Sequence, residues 1–416
     1  MRCQHTLEPE PPPRLSQYDK MESSEQSAPL NLAHWLTSRE AAEWFAWLSK
    51  VDPQAIATLS KLRQELTAEQ SQAILNQAQL RQRGVKKFTR AGQMFFTRVG
   101  QEQATDEEIA AYKACRFSPG QPLADLCCGI GGDLIALAQR GPTMAVDASP
   151  EHLCYAEANV AAYDANLAGT QCGLAEETPL QEFAAWHIDP DRRSDNRRTI
   201  KLDHFSPALP QLEMMLRANR NAALKLAPAS RLPPEWEEQG ECEWITHHRE
   251  CKQLVVWLGN LAPQPGLRRA TRIGNAGQID SFLGSPNHSY ASTEIAACLF
   301  DPDPALVASG LVDTLAAELN LARVSPQSHY LTGPLSIEHP LLSRFEVQGV
   351  EKIDTKRLKK AITAANWGTL ELKQRGLELK LEALRKQLKP RGDGPGTIIF
   401  TPTTVGNRAI LCQRFE

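Results

Sequence analysis

Three aspartates, Asp125, Asp147 and Asp189, each close a short apolar run: Leu123-Ala-Asp125, Met144-Ala-Val-Asp147 and Ala185-Trp-His-Ile-Asp189. In an open α/β sheet, ligands sit at the carboxyl ends of the strands, so three such acids would share one crevice. Behind Asp125 comes a glycine-rich turn, Gly129-Ile-Gly131-Gly132-Asp133, in which Gly129 and Gly131 would let backbone approach a ligand. Asp147 follows Asp125 by 22 positions, where a carboxylate accepts both hydroxyls of a ribose. Asp189 opens Asp189-Pro190-Asp191-Arg192-Arg193. The Asp189 carboxylate and the Pro190 carbonyl are acceptors able to orient a nucleophilic nitrogen. Arg192 and Arg193 offer forked donors to a phosphate, or else an ion-pair latch between domains. Lys225, ending the next apolar run, reaches the same mouth either as a substrate contact or as a plain strand-end lysine.

The ligand for such a crevice is a cation. A dinucleotide turn requires a third small residue, and Leu134 stands in its place. Carboxylates at 125 and 133 would repel a pyrophosphate and attract the ammonium and sulfonium of S-adenosylmethionine. Methyl transfer from a sulfonium needs little beyond alignment. No cysteine stands beside Asp189 in the sequence, so a covalent route has no obvious nucleophile. Cys242, His247, His248 and Cys251 have a spacing worth testing for zinc, but Trp244 and Val255–Leu258 make that segment a packed hairpin, and no metal is expected.

The elements must then deliver these acids. From 121 to about 260, strands are expected at 122–127, 143–147, 170–174, 185–189, 221–227, 242–248 and 252–258, with helices near 131–140, 150–166 and 206–218. The last two strands read as an antiparallel pair on an otherwise parallel sheet. Residues 31–114 read as helical, with capping boxes at Thr37-Ser-Arg-Glu40 and Thr67-Ala-Glu-Gln70. Basic and aromatic residues interleave from Arg81 to Phe96, either to grip nucleic acid or as a solvated face with buried phenylalanines. Residues 1–30 are Pro-, Glu- and Ser-rich and are expected to be disordered. Residues 261–272 look like a linker, and Pro304 to Leu319 reads as one amphipathic helix.

The 416 residues carry a net charge of −3, so nucleic-acid affinity would have to come from local patches. One such patch exists: from residue 341 onward, Arg and Lys outnumber Asp and Glu by 15 to 8. Scattered cysteines without a repeating frame suit a reducing cytoplasm, and no apolar run approaches a membrane span.

Asp125-x-x-x-Gly129-x-Gly131 with Asp147 resembles the cofactor-binding motif of class I methyltransferases, and Asp189-Pro190 resembles their nitrogen-methylating motif, with Arg192 and Arg193 departing from its Pro-Pro-aromatic pattern. Glu102-Gln-Ala-Thr-Asp106, Asp189-Pro-x-Arg-Arg193, Lys225-Leu-Ala-Pro228, Asp301-Pro-Asp-Pro304, Tyr330-Leu-Thr332 and Leu370-Glu-Leu-Lys-Gln-Arg375-Gly376 together resemble a bacterial class I methyltransferase family carrying a C-terminal THUMP-like domain. The resemblance covers about 70–416. It implies an α/β fold: a helical N-terminal region (31–114), a Rossmann-like S-adenosylmethionine-binding domain (115–262), a ferredoxin-like domain (265–330) and a THUMP-like RNA-binding domain (335–416). It also implies that Gln103 and Thr105 close over the methionine end of the cofactor. The loop where related enzymes read the adenine carries Glu176, which either substitutes or leaves the task to backbone. The expected function is a cytoplasmic S-adenosylmethionine-dependent methyltransferase acting on a nitrogen of structured RNA, tRNA or rRNA. The alternatives are a small-molecule or protein methyltransferase, and a non-catalytic RNA-binding protein retaining the cofactor fold.

Overall fold

A computed structural model describes residues 28–194, 197–198, 200–274, 277–287 and 292–415. The chain divides into two compact units, one running through Lys225 with Leu258–Leu261, the other comprising Leu226–Trp257 and Ala262–Glu416. The segment 1–30, expected to be disordered, lies almost wholly outside the described residues.

The first unit begins with helices α1 (Ala28–Leu36), α2 (Arg39–Leu48), α3 (Ile56–Glu65), α4 (Ala68–Gly84), α5 (Arg98–Gln103) and α6 (Glu107–Ala114). The Thr67–Gln70 capping box forms in full, each side chain bonding the other's backbone. At the earlier box the cap is Ser38, whose Oγ accepts from Ala41 N, while the Thr37 hydroxyl turns back to the Ala33 carbonyl. The Arg81–Phe96 stretch resolves against a stacking role. Phe88 and Phe96 are buried, and the Arg81 guanidinium lies 3.8 Å over the Phe45 ring with its Nε donating to the Met94 carbonyl. Burial pushes Arg81 down to about 10.

After these helices come β1 (Leu123–Leu126), α7 (Leu134–Arg140), β2 (Thr143–Asp147), α8 (Pro150–Ala162), β3 (Leu167–Cys172), β4 (Ala185–Ile188), α9 (Leu209–Ala218) and β5 (Ala222–Leu226). The strands are all parallel and ordered β3-β2-β1-β4-β5. Because β1, β4 and β5 are buried at every position, they read as continuous apolar runs instead of alternating ones. The N-terminal helices share a core with α7 and α8, in which Trp44, Ile74, Phe96, Leu134 and Ala156 meet. Asn159 of α8 fastens that core to the glycine-rich turn, its amide donating to the carbonyls of Phe95 and Ile130.

In the second unit, α10 (Pro234–Gln239) precedes β6 (Glu241–His247), β7 (Glu250–Trp257), β8 (Arg268–Ile273) and β9 (Ile279–Gly284), ordered β9-β8-β6-β7. The expected antiparallel pair is β6–β7. Much of the expected linker is strand: β8 runs parallel to β6, held by Arg269 on the fully buried Glu241 at 2.7 Å and by the Thr271 hydroxyl on Glu243. Residues expected to open a ferredoxin-like domain thus extend the β6–β7 pair. The next strand, β10 (Cys298–Pro302), is followed by two helices where one was expected, α11 (Pro304–Ser309) and α12 (Val312–Glu318). Gly310, in the left-handed region at φ 75°, ends the first of them.

A second sheet of seven strands then forms from β10, β11 (Ala322–Arg323), β12 (Leu331–Gly333), β13 (Leu342–Lys352), β14 (Trp367–Gln374), β15 (Gly394–Thr403) and β16 (Gly406–Arg414), in the order β11-β12-β10-β13-β16-β15-β14. Helices α13 (Thr355–Ala364) and α14 (Leu381–Leu388) share an apolar core with one face, through Leu358, Ile362, Leu388 and Phe400. Among the described residues every cysteine is a free thiol, and no helix is long and apolar enough to cross a membrane.

Candidate active site

A cavity of about 430 Å³ in the first unit gathers the carboxyl ends of β1, β2, β4 and β5. Asp125, Gly129, Asp147, Asp189 and Pro190 line it, and so do Gln103, Thr105, Arg192 and Lys225. One residue picked out from the sequence is not among them. Gly131, at φ 91°, faces α8, where an added Cβ would lie 3.5 Å from the Ala156 Cα. The side chain of Arg193 lies outside the described residues.

The charged groups form a buried chain. Asp125 is 1% exposed, and its Oδ1 accepts from His187 Nδ1 at 2.7 Å. The opposite ring nitrogen, Nε2, lies 3.3 Å from Lys113 Nζ, so the ammonium donates to it and the ring donates through Nδ1 to Asp125. Lys113 also meets Asp133 at 2.7 Å, and the Thr105 hydroxyl donates to Asp133 Oδ2 at 2.6 Å. Lys225 Nζ stands 3.8 Å from Asp133 and 2.5 Å from Asp189 Oδ2.

Each titration follows from this geometry. Burial by itself would raise Asp133, but Lys113, His187 and Lys225 override it and hold the carboxyl far below its usual range. Burial would lower Lys225, yet Asp189 and Asp133 keep it above an ordinary lysine. Burial does lower Lys113, against the pull of Asp133, and raises Asp125, against the pull of His187. Asp125 Oδ2 is buried without a hydrogen-bond partner among the described residues.

Asp147 is engaged on both oxygens: Oδ2 accepts from Gly129 N at 2.8 Å, and Oδ1 from Ser149 N at 2.9 Å and His152 Nδ1 at 3.3 Å. It therefore fixes the glycine turn as well as facing the cavity. Gly129 sits at φ 55°, where an added Cβ would meet no protein atom within 4 Å. Gly132 is a different case, since its Cβ would come within 2.9 Å of Thr105 N, so the turn presses directly on the wall carrying Gln103 and Thr105. That wall hangs from Lys87, whose ammonium donates to the carbonyls of Gln101, Glu102 and Ala104 at 3.0, 3.2 and 2.7 Å at the C-terminus of α5.

Sequence reasoning missed Lys113, which lies on α6 with nothing local to distinguish it, and took Lys87 only as part of the basic and aromatic Arg81–Phe96 stretch. His187 did carry a signal: an ionisable group inside the apolar strand Ala-Trp-His-Ile. The structure also brings Cys127 to the cavity, which chain distance from Asp189 had hidden. Burial first, then Asp147 and Asp189, push its thiol well above the usual range.

A family model for RNA cap guanine-N2 methyltransferases matches residues 121–190, and a model described as THUMP domain-like matches 342–414. An uncharacterised S-adenosylmethionine-dependent methyltransferase of Mycobacterium tuberculosis is 30% identical over 323 residues, covering 76% of this chain and 86% of that protein. The chain belongs to that family of S-adenosylmethionine-dependent methyltransferases. A methyltransferase of Synechocystis is 46% identical over 67 residues, 16% of this chain and 29% of the relative. The crystal structure of a Porphyromonas gingivalis protein assigned as a methyltransferase superposes with a TM-score of 0.75 at 20% identity, over 95% of this chain and all of that one, which shows the shared fold. Among the described residues no group of three or more His, Cys, Asp or Glu is arranged to hold a metal ion.

Proposed function

We propose that this methyltransferase transfers the methyl group of S-adenosylmethionine to a nitrogen of structured RNA. The observation that carries the site assignment is the buried, unpartnered Oδ2 of Asp125, beside a glycine whose absent side chain leaves the cavity open. A cationic ligand answers that oxygen. Asp125 would bind the cofactor's ammonium, Asp147 its ribose, the Gly129 backbone its close approach, and Gln103 and Thr105 would close over the methionine end. Bound there, S-adenosylmethionine supplies an electrophilic methyl group on a good leaving group.

The protein's part is alignment. Lys225 fixes Asp189 by holding Oδ2 and so directs the other oxygen at the target N–H. With Pro190's carbonyl, that oxygen aims the nitrogen lone pair at the methyl carbon. As the N–C bond forms and the C–S bond breaks, the nitrogen's surplus proton passes to Asp189, whose side chain is 27% exposed and returns it to solvent. Arg192 borders the same mouth and would meet the RNA backbone, as would Arg193.

RNA as substrate is supported by the THUMP-like match over 342–414 and the basic excess of that segment. The test is nucleoside mass spectrometry of tRNA and rRNA from cells with and without the gene, followed by methylation of the deficient RNA by purified protein. One N-methylated nucleoside missing and then restored supports the reading. Full methylation of all nucleosides in the deficient cells, with a protein or small molecule labelled instead, overturns it.

A further inference from the structure

Asp301 of β10 is a buried carboxylate, with its side chain 1% exposed, and three cations converge on it. Lys373 of β14 bonds Oδ2, Arg375 Nη2 lies 2.9 Å from Oδ1, and Arg249 Nη2 lies 3.7 Å from Oδ2. These are the Asp301-Pro-Asp-Pro304 and Lys373-Gln-Arg375-Gly376 segments that the methyl-transfer site does not use. A structural carboxylate needs one counter-charge; this one has three. Burial raises the Asp303 carboxyl toward its neutral form, against its bonds to Ala305 N and Thr246 and the pull of Arg272 and Arg249, and it caps α11 through Ala305 N. The cluster is net positive either way.

The cations are also held in position. Lys373 Nζ sits 5.3 Å from the Phe345 ring centroid and the Arg375 guanidinium 5.5 Å from that of Tyr330, both rings fully buried. Arg375 donates to the Pro302 carbonyl at 3.3 Å, and Arg249 Nη1 to Ser343 Oγ at 3.2 Å. Arg249 comes from the β6–β7 turn, where His248 and Arg249 have φ of 49° and 62°. Such turns favour Asn-Gly, and a left-handed conformation is strained for His and Arg. The strain places an arginine, 56% exposed, at the open end of the cluster, while Arg375 and Lys373 lie progressively deeper at 27% and 17%. Nearby Arg344 and Arg414 are matched one-to-one by Glu338 and Glu371.

We propose that Arg249, Lys373 and Arg375, gathered by Asp301, form a subsite for a backbone phosphate of the RNA substrate. The proposal rests on the RNA reading above and adds where the chain is held. A forked guanidinium at the rim and a second one with an ammonium behind it match the oxygens of a phosphodiester.

The test is fluorescence anisotropy of full-length wild type, Arg249→Ala, Arg249→Lys and Arg375→Ala with labelled bulk tRNA across a salt series, with calorimetry of S-adenosylmethionine binding alongside. Expected is a loss of roughly 5- to 30-fold in tRNA affinity for each alanine variant, a salt slope shallower by about one, partial recovery in Arg249→Lys and unchanged cofactor binding. Wild-type tRNA affinity and slope in both alanine variants would overturn the subsite and leave the RNA reading standing. Absence of tRNA and rRNA binding by the wild type would overturn both. Loss of cofactor binding alongside RNA binding would assign the cluster to folding and overturn the subsite.

Discussion

The cofactor cavity of the first unit and the cation cluster of the second are built on one device with opposite signs. Among the described residues of the cavity, the carboxylates Asp125, Asp133, Asp147, Asp189 and Asp191 outnumber the cations Lys113, Lys225 and Arg192, and Asp125 Oδ2 is left without a hydrogen-bond partner. In the cluster, a single buried carboxylate gathers three cations, the outermost open to solvent. A buried ion pair contributes little net stability because desolvation offsets attraction, so an unbalanced one points to a ligand that completes it. On the two proposals above, the sign of the imbalance selects the partner: a sulfonium donor in one case, a polyanion in the other.

The largest expected effect separates chemistry from binding within the cavity. Asp189→Ala removes the nitrogen's acceptor and should lower kcat by about 10²- to 10³-fold while calorimetry shows cofactor affinity unchanged; a variant turning over at the wild-type rate would leave Asp189 a loop cap. Asp125→Asn keeps the shape and deletes the charge. It should weaken S-adenosylmethionine binding roughly 10- to 100-fold, in line with about 1.5–3 kcal/mol for a charged hydrogen bond, and an affinity within threefold of wild type would break the comparison on its negative side.

Salt sharpens the contrast between the two regions. The cluster's phosphate together with those proposed at Arg192 and Arg193 predicts that RNA affinity falls about 20- to 40-fold between roughly 50 and 200 mM salt, whereas the buried cofactor site should change less than about threefold. Equal salt sensitivity of the two would mean that the cluster does not hold phosphate. The smallest effect concerns His152, raised above 6.5 first by its bond to Asp147, while burial opposes. Its contribution to stability is complete below pH 6.5 and is lost as pH rises through the raised value. Wild type should therefore lose about 1–2 °C of Tm between pH 6 and 9 beyond what His152→Gln loses, by calorimetry of both proteins. Parallel curves would discard the pair.

What was legible in the chain was whatever a strand end places by rule. Asp125, Asp147, Asp189 and Lys225 reach one cavity because parallel strands end on the same side, and Gly129 does so through its left-handed turn. What stayed hidden depends on contacts between distant elements. Lys113 on α6 acquires its role from Asp133 and His187, which follow it in the chain by 20 and 74 positions. The aromatics at 88 and 96 left stacking and burial both open, because periodicity cannot say which side of a turn is buried. The break at Gly310 was overlooked because the apolar spacing continues through it, although the glycine itself was a stop signal.

Cys127 shows a further consequence of the cavity's negative lining. A thiolate held against an activated methyl donor would be alkylated by it, inactivating the enzyme one molecule at a time. Burial first, and the cavity's acids after it, keep this sulfur protonated, so the lining proposed to draw in the donor would also help to shield the protein from it.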